Sequence, residues 1–85
     1  MPDLRHLDGP ITIDPAQFTR WREGAGRLGM AGMALRVELF CLIIDPTRRR
    51  LQRAARAARS AERKLTGDAA LIANAVATEL EDVAS

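Results

Sequence analysis

Few side chains in this chain are of a type that does chemistry. His6 is the only histidine and Cys41 the only cysteine. His6 beside Asp3 or Asp8 has the composition of a general base with an orienting carboxylate. All three sit in a turn-rich N-terminal segment, so a solvated histidine is the expectation. One histidine and one cysteine do not make a zinc site, and the carboxylates are scattered. No serine, threonine or cysteine has an activating neighbour. Gly24-x-Gly26-x-x-Gly29 spells a dinucleotide fingerprint, and Asp45 follows after an apolar run. That mechanism needs a strand before the first glycine and a helix aimed at a pyrophosphate. Here Phe18 to Glu23 reads as helix, which leaves the glycines a packing or hinge role. The chain is therefore expected to be no enzyme, with no cofactor, no metal and no small-molecule substrate.

The residues that remain are arginines. Residues 48–64 carry eight Lys/Arg against one Glu. Arg49, Arg53, Arg56, Arg59 and Arg63 fall on one side of a helical wheel, opposite Leu51, Ala54, Ala58, Ala61 and Leu65. This is a basic amphipathic helix with a seam of small residues. The seam permits close approach of a second helix, and the arginines framing it suit carboxylates or phosphates. The favoured expectation is a non-enzymatic small helical subunit or adaptor. It docks into a larger protein assembly or self-associates, through the Ala-rich seam and the Arg-rich face. The alternative is a sequence-indifferent nucleic-acid-binding protein, with Arg49, Arg53, Arg56, Arg59 and Arg63 on phosphates. Nothing marks base readout, because only Gln52 joins that face and no aromatic interleaves for stacking. Solvation alone, or neutralisation by the acidic residues that follow, is the plainest use of such a face.

Those acidic residues are Asp68, Glu79, Glu81 and Asp82, and the whole chain has a formal net charge of +2. Eighty-five residues, 47% of them apolar, allow one small domain with one modest core. Its only aromatics are Phe18, Trp21 and Phe40, so the core must be aliphatic and alanine-based. Phe18, Trp21, Met30, Met33 and Phe40 are the candidate core or interface anchors. The methionines adapt to irregular contacts. A lone cysteine and an N-terminus without an apolar run fit a cytoplasmic chain. A membrane partner is not expected. The apolar stretch 30–44 falls short of the roughly 20 residues a span needs and carries Arg36 and Glu38.

Four helices position these residues. Residues 1–14 read as an extended N-terminal arm, with Ile11-Thr12-Ile13 laid over the helices or another subunit. Residues 15–85 form the helical domain. Asp14-Pro15 starts a helix over about 15–23. The glycines at 24, 26, 29 and 32 predict a loop or broken helix. A second helix covers 30–44, although Leu35, Val37, Leu39, Cys41 and Ile43 also alternate like a strand. Its series Met30, Met33, Val37, Phe40, Ile44 repeats the three-four spacing of the basic helix. Asp45 as N-cap and Pro46 at the first position start the basic helix, which runs over 46–66 and stops at Thr66-Gly67. Asp68 caps a last helix over 68–83, with Ala69, Ile72, Val76, Leu80 and Val83 inward. The expected fold is all-α, a small bundle of three to four short helices with an extended N-terminal arm.

Overall fold

A computed structural model describes residues 9–85. The fold is all-α, with four helices and no strand among the described residues. Residues 1–8 lie outside them, and with these the proposed pairing of His6 with Asp3 or Asp8 and the first part of the arm. The rest of the arm runs extended. Ile11 donates its N–H to the Pro46 carbonyl at 2.8 Å. Ile11 and Ile13 are partly buried against the core. This segment clips the junction between the second and third helices.

Helix α1 is Pro15–Arg27. Asp14 caps it as expected, its carboxylate accepting from Ala16 N at 3.1 Å. The helix does not break at residue 23 but continues through Gly24 and Gly26. A Cβ at Gly24 would sit 2.8 Å from Val76 Cγ2. Here the glycine admits the last helix to close range, and that packing outweighs its poor helix propensity. The chain turns at Gly29, whose φ of +61° suits glycine. A 3-10 turn, Gly29–Gly32, follows. Gly32 is pressed against the Ala25 carbonyl and Leu28 Cβ, leaving no room for a side chain.

Helix α2 is Met33–Ile44, so the apolar stretch is helical and not a strand. Helix α3, Arg48–Arg63, starts later than the sequence suggests. Its N-cap is Thr47, whose Oγ1 accepts from Arg50 N at 3.1 Å. Asp45 instead closes α2, donating its N–H to the Cys41 carbonyl at 3.0 Å. Pro46 disfavours a helical conformation at Asp45, which lies at φ −136°, ψ 77°. Pro46 therefore precedes the cap rather than opening the helix. Helix α3 also ends early, with Lys64 at its C-cap. Gly67 does take a left-handed φ, +63°, but it does so at the start of helix α4, Gly67–Ala84. Asp68 falls in the first turn of α4, where a carboxylate complements the helix dipole, rather than at the cap.

The core is aliphatic around one indole. Trp21, Leu35, Leu39, Leu42, Leu51 and Leu80 are its largest fully buried side chains. The predicted seam of α3 faces inward: Leu51, Ala54, Ala58 and Ala61 are buried and Leu65 partly so. Helix α4 adds Ala73, Val76, Ala77, Leu80 and Ala84. The two helices form the most extensive pairing in the fold. Alanines on both sides let their axes approach closely, and the small residues of α3 are thus occupied within the chain.

Candidate docking surface

Helix α2 is apolar nearly all round and has two stripes of helical spacing. Leu35, Leu39 and Leu42 form one and are buried. Met33, Val37, Phe40 and Ile44 form the other, and all are exposed, Phe40 by 65%. Met30, just before the helix, is 88% exposed, and Ile43 is also open. The five aromatic and methionine anchors thus divide. Phe18 and Trp21 are buried, whereas Met30, Met33 and Phe40 lie on the surface. The three-four series Met30, Met33, Val37, Phe40, Ile44 points to solvent, so its members are placed for an interface rather than for the core. With two apolar stripes on one short helix, the core takes one and the other is left over.

The outward stripe is bordered by grooves. Against α1, Phe18, Arg22, Met33, Arg36, Phe40 and Ile43 line an open depression of about 560 Å³. Against α3, a shallower one of about 520 Å³ is lined by Ala34, Val37, Glu38, Arg53 and Arg56. Taking roughly 180 Å² for each fully exposed side chain of this size, the six open apolar residues present ~700 Å². A typical monomer's largest patch is about 300–600 Å², and a stable interface buries ~800 Å² per partner.

The arginines of α3 have separate fates. The Arg59 side chain is 31% exposed and binds α4. Its Nε and Nη2 donate to the two oxygens of Glu81 at 2.9 and 2.7 Å. Its Nη1 donates to Glu62 at 3.0 Å and to Asn74 at 2.7 Å. These bonds raise the Arg59 pKa above its ordinary value, Glu81 first and Glu62 next, against a smaller cost of desolvation. The same contacts hold the Glu81 carboxyl below the usual carboxylate range. Arg53 pairs with Glu38 of α2 at 3.5 Å. Arg49 is exposed. Arg56 and Arg63 are exposed and have no carboxylate partner among the described residues.

A second polar cluster ties α1 to α4. Glu79 accepts from Gln17 Nε2 at 3.0 Å and from Arg20 Nη2 at 3.4 Å. Gln17 first, then Arg20, lower the Glu79 pKa against the opposing effect of burial. The Trp21 Nε1 is buried, with no hydrogen-bond partner among the described residues. The indole is held by packing, with Phe18 edge-on at 6.5 Å between ring centroids.

Other chemistry finds little support in the geometry. Gly24 and Gly26 lie in the C-terminal half of α1, where the helix dipole is negative and repels a phosphate. No group of three potential metal ligands occurs among the described residues. Cys41 is a free, half-buried thiol. No helix among the described residues is long and apolar enough to cross a membrane. No protein family, curated protein or solved structure matches the chain.

Proposed function

We propose that this protein is a non-enzymatic helical docking subunit of the cytoplasm, and that it engages a protein partner through the outward face of α2. The exposed stripe Met33, Val37, Phe40, Ile44 carries this reading. Leaving ~700 Å² of apolar surface in water costs a small domain solubility, and a partner that covers it recovers about 25 cal/mol for each Å². The site has moved relative to the sequence expectation. The alanine seam is filled by α4, and Arg59 is engaged there too, so the apolar face of α2 is the better candidate. Arg53 and Arg56 remain at its edge.

The paired change Val37→Asp and Phe40→Asp tests the reading. Both side chains are exposed, so the isolated chain is expected to keep its helical signal and its unfolding free energy within ~1 kcal/mol. The wild-type chain is expected to bind an amphipathic helical peptide with leucines at three-four spacing, followed by fluorescence anisotropy, and the variant to lose that binding. A loss of stability above about 2 kcal/mol would mean that this face is packed within the monomer, and the reading fails.

A further inference from the structure

Four arginines border the α2 stripe. Arg22 and Arg36 line the groove on its α1 side, and Arg53 and Arg56 line the one on its α3 side. The only carboxylate in either lining is Glu38, already 3.5 Å from Arg53. Arg22, Arg36 and Arg56 have no carboxylate partner among the described residues. The Arg36 Nη1 lies along the stripe itself, 4.0 Å from the Met33 sulfur. An apolar band with a positive edge on both sides is thus presented over the length of α2. Twelve residues of helix span ~18 Å, or about three turns of a partner helix.

We infer that the α2 face receives an acidic amphipathic helix, with an apolar stripe flanked on both sides by aspartate or glutamate. This rests on the docking reading above and names its partner. Three features select the occupant. The three-four spacing of Met33, Val37, Phe40 and Ile44 makes ridges that fit the grooves of another helix. No strand is present among the described residues to receive an extended peptide at its edge. The edge charge is complementary to carboxylates and not to itself. A second copy set against this face would bring two arginine-rich borders together with only the two Glu38 carboxylates between them. A phosphate backbone would satisfy the arginines and leave the apolar stripe uncovered.

The probe is a fluorescent synthetic peptide of about 18 residues, with leucines at three-four spacing and glutamates on both flanks, alongside a twin with lysine for every glutamate. Fluorescence anisotropy with the whole chain at about 50 mM salt is expected to show the glutamate peptide binding at least ~10-fold tighter than its twin. The gap should narrow at about 0.5 M salt, where surface charges are screened. The charge reversal Arg22→Glu with Arg36→Glu should invert the preference, and Phe40→Asp should abolish binding of both peptides.

Equal binding of the two peptides overturns the acidic assignment. So does a wild-type dimer that Phe40→Asp dissociates, which keeps the docking reading but gives the face to a second copy. Binding to phosphatidylserine vesicles that Phe40→Asp removes, with no peptide bound, overturns both the acidic helix and the protein partner. If neither peptide binds and Phe40→Asp alters no association, both readings fall together.

Discussion

Leu39 and Phe40 are neighbours on α2, and their replacement by alanine should have opposite consequences. Leu39 is 1% exposed and Phe40 65%. Truncating a buried leucine removes its transfer free energy and leaves a cavity that neighbours only partly fill, which costs ~2–5 kcal/mol. Truncating an exposed phenylalanine removes surface already in water. That costs under ~0.5 kcal/mol, and the better helix propensity of alanine offsets part of it. For a domain of this size each kcal/mol moves the Tm by about 4–8 °C, so Leu39→Ala should lower it by ~8–40 °C and Phe40→Ala by less than ~5 °C. Total stability for a chain this short is of order 5–10 kcal/mol, so Leu39→Ala is best measured at low temperature, where the variant is still folded. Urea unfolding followed by circular dichroism, at one low protein concentration so that self-association contributes nothing, reads both variants. Leu35→Ala and Val37→Ala repeat the contrast, with Leu35 fully buried and Val37 exposed. If Phe40→Ala cost more than Leu39→Ala, α2 would be rotated about its axis. The exposed stripe and everything proposed for it would then be lost.

Glycines of α1 should separate in the same assay. Gly24→Ala is expected to cost ~1–2 kcal/mol, because its Cβ would meet Val76 at 2.8 Å. Gly26→Ala meets open space and should gain up to ~1 kcal/mol. At the start of α3, Thr47→Ala removes the cap on Arg50 N and should cost about 1 kcal/mol. Asp45→Ala should cost less than half of that, since Asp45 makes only an exposed 3.7 Å pair with Arg50. Glu79 and Glu81 titrate below their ordinary values in the folded chain. On acidification the unfolded chain therefore takes up protons first. The stabilisation from both groups is complete above a pH of roughly 4.3 and fades as pH falls through their lower folded values. Tm measured at neutral pH and down through the acid range should show that fall, and Glu79→Gln should flatten its share of it.

Much of the architecture was legible because local signals were strong. Asp14-Pro15 named the start of α1, and the spacing of Leu51, Ala54, Ala58 and Ala61 named the inward face of α3. Local signals misled where a tertiary contact overrode them. Gly24 looks like a break until Val76 is seen against it. Asp45-Pro46 looks like a cap and first turn until Thr47, one residue further on, takes the role and Pro46 gives its carbonyl to Ile11. The facing of α2 was not legible at all. Leu35, Leu39, Leu42 and Met33, Val37, Phe40, Ile44 are both well-spaced apolar stripes, and nothing local says which one the core of α3 and α1 will take. The glutamates that occupy Arg59 were visible only as a charge total, since the pairing of Arg59 with Glu81 depends on how α3 and α4 pack.

If the α2 face docks a helix as proposed, the distribution of positive charge gives shape priority over charge in the choice of partner. A helix with seven arginines suggests a polyanion partner when the chain is read in one dimension. In three dimensions Arg59 staples α3 to α4, Arg50 and Arg53 reach back to Asp45 and Glu38 around α2, and Arg56 stands at the edge of the α2 stripe. The arginines near α2 therefore border an apolar band rather than forming a continuous basic face. On the proposed docking reading, apolar contact would supply affinity and the arginines selection among the helices that fit. The two contributions are separable by salt: raising ionic strength should erase the preference between acidic and basic helices while leaving a salt-insensitive residue of binding that only changes at Val37 or Phe40 remove. Binding that vanished completely with salt would reverse the order of these contributions and return the arginines to first place.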